Sequence, residues 1–198
     1  MVKKIVFLAL AALVAQGASA LQSDSSKPIE IAADSFSGDQ VKQTAVYTGK
    51  VEVHQGTLEM HGDRLDLQVN SRGYRNGTMT GKPARFKQQR DNADPSVSEW
   101  MHAEASKMIY DEEHDTITLI GNAKLTRTEN GTLKDSATGQ NIVYDMRNAR
   151  SQAQGGTVSG ERQRVTTVIA PRKKDADASS APKDTTSLRS ADSLKSGH

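Results

Sequence analysis

The sequence contains no cysteine. That excludes disulfides, thiol catalysis and cysteine-ligated metals, so the fold must hold through its core and its backbone pairing alone. Aromatic residues are scarce, with three Phe, four Tyr and one Trp in 198 residues, and a core of large interlocking rings is therefore unavailable. A membrane span needs roughly 20 consecutive apolar residues. The run from Ile5 to Val14 is about half that before Gln16 and Gly17 interrupt it, and no other candidate segment follows. Phosphate-binding loops, nucleophile elbows, zinc helices and calcium loops are also absent from the pattern. Charge of one sign is missing too: the formal net charge is +2, and two of the basic residues are Lys3 and Lys4. Without them the chain is near neutral. It shows no basic stripe of the kind that neutralises a nucleic-acid backbone, so nucleic acid is not an expected partner.

The N-terminus has three parts in order: Lys3 and Lys4, the apolar run, and the small-x-small triplet Ala18-Ser19-Ala20. This reads as a secretory signal peptide over residues 1–20, cleaved after Ala20, and it sends the mature chain out of the cytoplasm. Residues 21–27 are polar and predicted to be a flexible N-terminus. Residues 28–171 carry nearly all the ordered apolar pattern and suit one domain. Residues 172–198 hold Lys, Asp, Ser, Ala and Thr without an aromatic residue, and they are predicted to be a disordered charged tail.

Inside the domain the apolar period is two. Val51 and Val53, Leu58 and Met60, Leu65, Leu67 and Val69, Ala84 and Phe86, Ile117 and Leu119, and Ile142 and Tyr144 each alternate with polar or outward residues. Met108 and Tyr110 read the same way. This is the signature of half-buried strands with one apolar face. Glycines punctuate the runs, and the dipeptides Asn76-Gly77 and Asn130-Gly131 are expected to form tight turns. The pattern also recurs. Thr48-Gly49-Lys50-Val51 resembles Ile120-Gly121-Asn122-Ala123, 72 residues on; Gly56-Thr57-Leu58 recurs as Gly131-Thr132-Leu133; and Thr78–Gly81 recurs as Thr157–Gly160. Three matches in the same order point to two copies of one unit of roughly 70–80 residues, a sign of stacked architecture.

An apolar face built from Val, Leu, Ile, Met and Ala can be plain core. It can also line a trough that accepts flexible hydrocarbon. A stacked sheet has terminal edges, expected here at Ile29 and Ile31 on one side and over Val165–Ala170, with Val165 and Val168, on the other. Pro28 and Pro171 bound these segments. Such edges can be guarded, or they can receive another chain by strand addition.

Several ordered motifs resemble the LptA (OstA-like) family of lipopolysaccharide transport proteins. They are Pro28-Ile29-Glu30-Ile31-Ala32-Ala33-Asp34, Tyr47–Val51, Gln55–Leu58, Gly81-Lys82-Pro83-Ala84-Arg85-Phe86, Ala103–Tyr110, Leu119–Ala123 and Arg164–Val168. The resemblance spans about Pro28 to Pro171, whereas Thr126–Thr138 departs from the family pattern. It implies an all-β fold, an open, slightly twisted antiparallel β-jellyroll with two stacked repeats. It also implies a periplasmic carrier that binds the acyl chains of lipopolysaccharide in its interior and bridges the inner and outer membranes, without a cofactor. The partners it implies are lipopolysaccharide, the periplasmic domain of LptC, the N-terminal domain of LptD, and further copies joined head to tail. Of the groove residues, Ile29, Ile31 and Phe86 follow from matched motifs. Alternation adds Val51, Val53, Leu58, Met60, Leu65, Leu67, Met108, Tyr110, Ile117, Leu119, Leu125, Ile142 and Tyr144. The edge contacts are Ile29, Ile31, Val165 and Val168.

Two other classes compete. An enzyme would have to use His54, His61, His102, His114 or His198, with His61-Gly62-Asp63 or Asp111–Asp115 as its cluster; an acidic turn between strands is the simpler reading of the second. A structural β-solenoid, or an LptC-like interaction module, would explain the repeats without a ligand of its own.

Overall fold

A computed structural model describes residues 24, 26–92, 94–158 and 160–171. The signal peptide with Ala20, and the tail from residue 172, lie outside the described residues. Twelve strands form: β1 (Glu30–Ala32), β2 (Ser35–Asp39), β3 (Thr44–Gln55), β4 (Leu58–Val69), β5 (Arg75–Arg90), β6 (Glu99–Asp111), β7 (Thr116–Glu129), β8 (Thr132–Asp145), β9 (Arg150–Gln154), β10 (Thr157–Val158), β11 (Glu161–Arg162) and β12 (Thr166–Ile169). All but β10 and β11 belong to one antiparallel sheet in the order β1-β3-β4-β5-β6-β7-β8-β12, with β2 also on β3 and β9 also on β8.

The long strands share one irregularity at one level. Pairing slips between Thr48 and Val51 in β3 and between His61 and Arg64 in β4. It slips again between Thr80 and Ala84 in β5, Glu104 and Lys107 in β6, and Ile120 and Ala123 in β7. In β3 and β7 the slip is made by adjacent left-handed residues: Gly49 (φ 83°) with Lys50 (φ 46°), and Gly121 (φ 83°) with Asn122 (φ 50°). Glycine takes this conformation without cost, asparagine more readily than most, and an extra residue on one strand bends the sheet. The two sequence copies of this motif therefore build the same device.

The outer strands break at that level too. β1 pairs with 52–54 of β3 and β2 with 44–48, so β1 and β2 together act as one strand interrupted at Ala33-Asp34. On the far side β9 pairs with 141–145 of β8 and β12 with 135–138, and the β10–β11 hairpin is inserted between them. The row of slips thus folds the sheet into two layers. The first holds β2, 44–48, 64–69, 75–80, 107–111, 116–120, 141–145 and β9. The second holds β1, 51–55, 58–62, 84–90, 99–104, 123–129, 132–139 and β12. The two repeats lie side by side along this sheet.

The apolar faces of both layers merge in a single core that includes Met79, Met108, Ile117, Leu119 and Ile142, all with 0% exposure. Apart from Met1, every methionine lies in it. Inward positions next to the fold line are small: Gly62, Ala84, Ala105, Ala123 and Gly139. A Cβ on Gly62 would lie 2.6 Å from Met79 Cγ, and one on Gly139 would lie 2.8 Å from the Gln154 carbonyl oxygen. The layers converge there, and larger side chains would hold them apart.

Several sequence expectations meet a different geometry. Asn130-Gly131 does turn the β7–β8 hairpin, with φ of 48° and 75°. Asn76-Gly77 does not turn: it lies inside β5, paired with Gln68 and Leu67. Its glycine serves packing, since a Cβ there would meet Leu67 Cδ2 at 3.2 Å. The recurrence of Thr78–Gly81 as Thr157–Gly160 falls near the fold line in both copies, but Gly81 continues through β5 whereas Gly160 (φ 85°) turns a hairpin. The segment 126–138 has a defined register with one slip between Arg127 and Thr128. Asp24, in a segment expected to be loose, is 7% exposed; its carboxylate accepts hydrogen bonds from the Thr57 amide and hydroxyl at 3.0 and 2.5 Å.

Candidate functional site

Between the layers, on the side of β1, β3 and β4, the interior does not close. A cavity of ≈ 250 Å³ is lined from the second layer by Ile29, Ile31, Val53, Gln55, Leu58 and Met60, and from the first by Leu65, Leu67, Arg75, Gly77 and Tyr110. Alternation places these side chains. Val53 and Gln55 on β3, Leu58 and Met60 on β4, and Leu65 and Leu67 beyond the slip all point into the interior because the slip shifts the parity of β4 by one residue. A second recess of ≈ 350 Å³ shares Leu67 and Arg75 as its wall and continues past Tyr47 and Phe36 toward β2. Phe36 packs against Tyr47 in a tilted arrangement, 4.9 Å between ring centroids, and is 63% exposed.

The lining holds one charged residue. Arg75 is matched by Glu112, whose Oε2 accepts from the Arg75 Nε at 2.9 Å and from its backbone amide at 2.7 Å; a further guanidinium contact reaches Oε1. Hydrogen bonding to Arg75 holds the Glu112 carboxyl below the ordinary carboxylate range, and the same bonds raise the guanidinium. The Tyr110 hydroxyl is pushed up to about 12, first by burial and then by the Glu112 charge. The Gln55 amide donates to the Lys27 carbonyl at 3.0 Å. The site is thus apolar, with its polar groups paired at the margin.

Of the residues expected in the groove, Ile29, Ile31, Val53, Leu58, Met60, Leu65, Leu67 and Tyr110 line this cavity. Val51, Phe86, Met108, Ile117, Leu119, Leu125, Ile142 and Tyr144 lie in the packed core, each 4% exposed or less. An acidic residue at Phe86 would therefore test the fold rather than a ligand. Sequence reasoning missed Arg75, Gly77 and Gln55 as lining, and Met79, Met101, Ala103, Ala105 and Met146 as core. Methionine at period two was the available signal for Met79 and Met101. Ile31 belongs to β1, and Val168, 51% exposed, to β12. Ile29 precedes β1 and Val165, an exposed residue, precedes β12, so neither lies within its edge strand.

Among the described residues the histidines do not converge. His54 and His61 are neighbours on the outer face, with ring centroids 6.1 Å apart. His114 Nδ1 lies 2.7 Å from an Asp111 carboxylate oxygen in the exposed β6–β7 turn. Burial lowers the pKa of His102, and Lys87 adds to the effect. His198 lies outside the described residues. Among the described residues no group of three or more His, Cys, Asp or Glu is arranged to hold a metal.

Comparison with known proteins agrees with this architecture. Residues 30–150 match the family described as LptA/(LptD N-terminal domain) LPS transport protein. The chain is 31% identical to the lipopolysaccharide export system protein LptA of Haemophilus influenzae over 171 residues, covering 85% of this chain and 91% of that protein. It is 32% identical to LptH of Pseudomonas aeruginosa, covering 86% and 94%, and 32% identical to LptA of Escherichia coli K12, covering 78% and 77%. The crystal structure of Pseudomonas aeruginosa LptH, the LptA-homologous periplasmic component of a lipopolysaccharide transport device, superposes with a TM-score of 0.63 at 29% identity. That match covers 75% of this chain and 99% of the LptH chain. An open antiparallel sheet folded on itself, an apolar interior and these similarities lead to one conclusion: the chain belongs to the LptA/LptD N-terminal-domain family of lipopolysaccharide transport proteins.

Proposed function

We propose that this protein is a non-enzymatic periplasmic carrier that shelters acyl chains of lipopolysaccharide between its two layers and hands the lipid on toward the outer membrane. The observation that carries this reading is the apolar cavity. An apolar space of roughly 150 Å³ stays dry and accepts a benzene-sized guest, so ≈ 250 Å³ accommodates a stretch of one acyl chain. Several chains need the layers to separate. The methionine-rich interior suits that, because unbranched thioether side chains repack with little strain. Each buried methylene contributes about 0.8 kcal/mol, so binding can be tight without a covalent step, and a trough that is only partly closed permits release.

The export signal expected over residues 1–20 fits a periplasmic site of action. Direction would come from an upstream transporter, since the sequence offers no nucleotide-binding motif. The terminal strands β1 and β12 carry backbone groups unpaired among the described residues, and strand addition there would join the chain to the periplasmic domain of LptC, to the N-terminal domain of LptD and to further copies, head to tail.

Displacement of a fluorescent acyl probe by lipopolysaccharide tests the reading. Leu67→Arg, which puts a cation in the wall shared by the cavity and its neighbouring recess, should weaken probe and lipopolysaccharide binding tenfold or more. Val143→Arg, on the exposed outer face, should leave both unchanged. Equal binding by wild type and Leu67→Arg, with both folded, would reduce the cavity to an unfilled part of the core.

A further inference from the structure

Arginine is used consistently in this fold. Arg64, Arg72, Arg75, Arg85, Arg90, Arg127 and Arg147 each form a salt bridge with a carboxylate. Arg150, Arg162 and Arg164 form none among the described residues, and all three are exposed; of these, Arg162 and Arg164 stand together. They do not project from unrelated places. Both line one recess of ≈ 510 Å³, together with Gly155, Gly156, Thr157, Gln163 and Val165, and among the described residues no carboxylate lines it. The recess lies where the β10–β11 hairpin is inserted between β9 and β12, at the edge of the sheet.

The glycines are required for this shape. A Cβ on Gly155 would lie 2.1 Å from the Gln163 carbonyl oxygen, and one on Gly156 would lie 2.7 Å from Gln140 Cγ. The Gln163 amide donates to the Gly156 carbonyl at 2.7 Å, which ties the two sides of the recess together. Two arginines with no salt bridge among the described residues thus border a concave surface of close-packed backbone. Guanidinium forks favour carboxylate and phosphate oxygens through paired charge-assisted hydrogen bonds, and phosphate offers enough oxygens for two arginines at once. The volume corresponds to roughly seventeen waters at their share of the liquid, room for a phosphate and the sugar that bears it.

We propose that the recess formed by Arg162, Arg164 and the Gly155-Gly156 backbone is a binding site for a phosphate monoester, carried on the sugar headgroup of the transported glycolipid or free in solution. The glycolipid source rests on the carrier function proposed above; the phosphate site itself does not.

The mature chain, isotopically labelled, is titrated with inorganic phosphate while the amide signals of Gly155 and Gly156 and the guanidinium signals of Arg162 and Arg164 are followed. The double variant Arg162→Gln/Arg164→Gln and the control Arg150→Gln, an arginine outside the recess, are compared by the same titration. Saturable shifts in wild type and control that vanish in the double variant are expected. In parallel, phosphorylated and dephosphorylated lipid A compete for the acyl probe. A loss of roughly tenfold or more in the double variant for the phosphorylated form alone identifies the headgroup as the source. Phosphate shifts with both lipids unaffected identify free phosphate. The proposal is overturned if phosphate produces no saturable shift at these residues, or shifts that persist in the double variant. If neither lipid displaces the probe, the carrier function fails while the phosphate titration still decides the site.

Discussion

At the residue scale the interior is decided by which side chains fill the space and which leave it open. Phe86 and Leu65 sit at the same depth in the alternation, yet Phe86 is sealed at 2% exposure in the core whereas Leu65, at 4%, borders the cavity. Period two tells inward from outward, and it told both correctly here. Whether an inward residue meets a neighbour or a void depends on the facing layer, which alternation does not encode. Tyr110 reports on this border. Its hydroxyl is pushed up to about 12, mainly by burial, so the folded state favours the neutral phenol while the unfolded chain ionises near 10. The resulting stabilisation is fully present below about pH 10 and is lost as pH rises through about 12, a difference on the order of 2–3 kcal/mol. Denaturant unfolding at about pH 9 and pH 11.5 should show a larger loss in wild type than in Tyr110→Phe, and an absorbance titration should show a tyrosine that ionises late. Identical losses in the two proteins would place Tyr110 in contact with water.

At the element scale the strands follow from local chemistry, and the fold line follows from a few glycines. The recurrence of Gly49-Lys50 as Gly121-Asn122 was visible in the sequence as a repeat; its meaning as a bulge became visible only where pairing slips across five neighbouring strands. Asn76-Gly77 shows the converse. A turn dipeptide is overridden when flanking positions pair into a long strand and the glycine is needed for the close approach of Leu67. Two substitutions separate backbone conformation from packing. Gly131 has φ 75° and nothing within 4 Å of its missing Cβ, so Gly131→Ala should cost about 1–2 kcal/mol, the penalty of the left-handed conformation alone. Gly49 has φ 83°, and its Cβ would also lie 2.3 Å from an Asp34 carboxylate oxygen, so Gly49→Ala should cost more. Chemical denaturation orders the two; a cheaper Gly49→Ala would mean that the bulge and Asp34 yield easily.

At the scale of the whole molecule, one sheet with a crease makes a container whose ends differ. The side of β1, β3 and β4 holds the apolar cavity, the middle is packed around Met79, Met108, Ile117, Leu119 and Ile142, and the far edge carries the basic recess at β10–β11. The all-β class and the two repeats were legible because they rest on local periodicity and ordered motifs. The asymmetry between the ends was not, because it arises from how β9 and β12 are separated by an inserted hairpin and from how tightly the layers approach. The central claim is that lipopolysaccharide lies between the layers. Site-specific photocrosslinking in cells at Ile31 and Leu65, with Lys87 on the outer face as control, tests it most directly. Lipopolysaccharide adducts at Ile31 and Leu65 and none at Lys87 are predicted. No adduct at either inward position in a folded, exported protein, or equal labelling at Lys87, would contradict it.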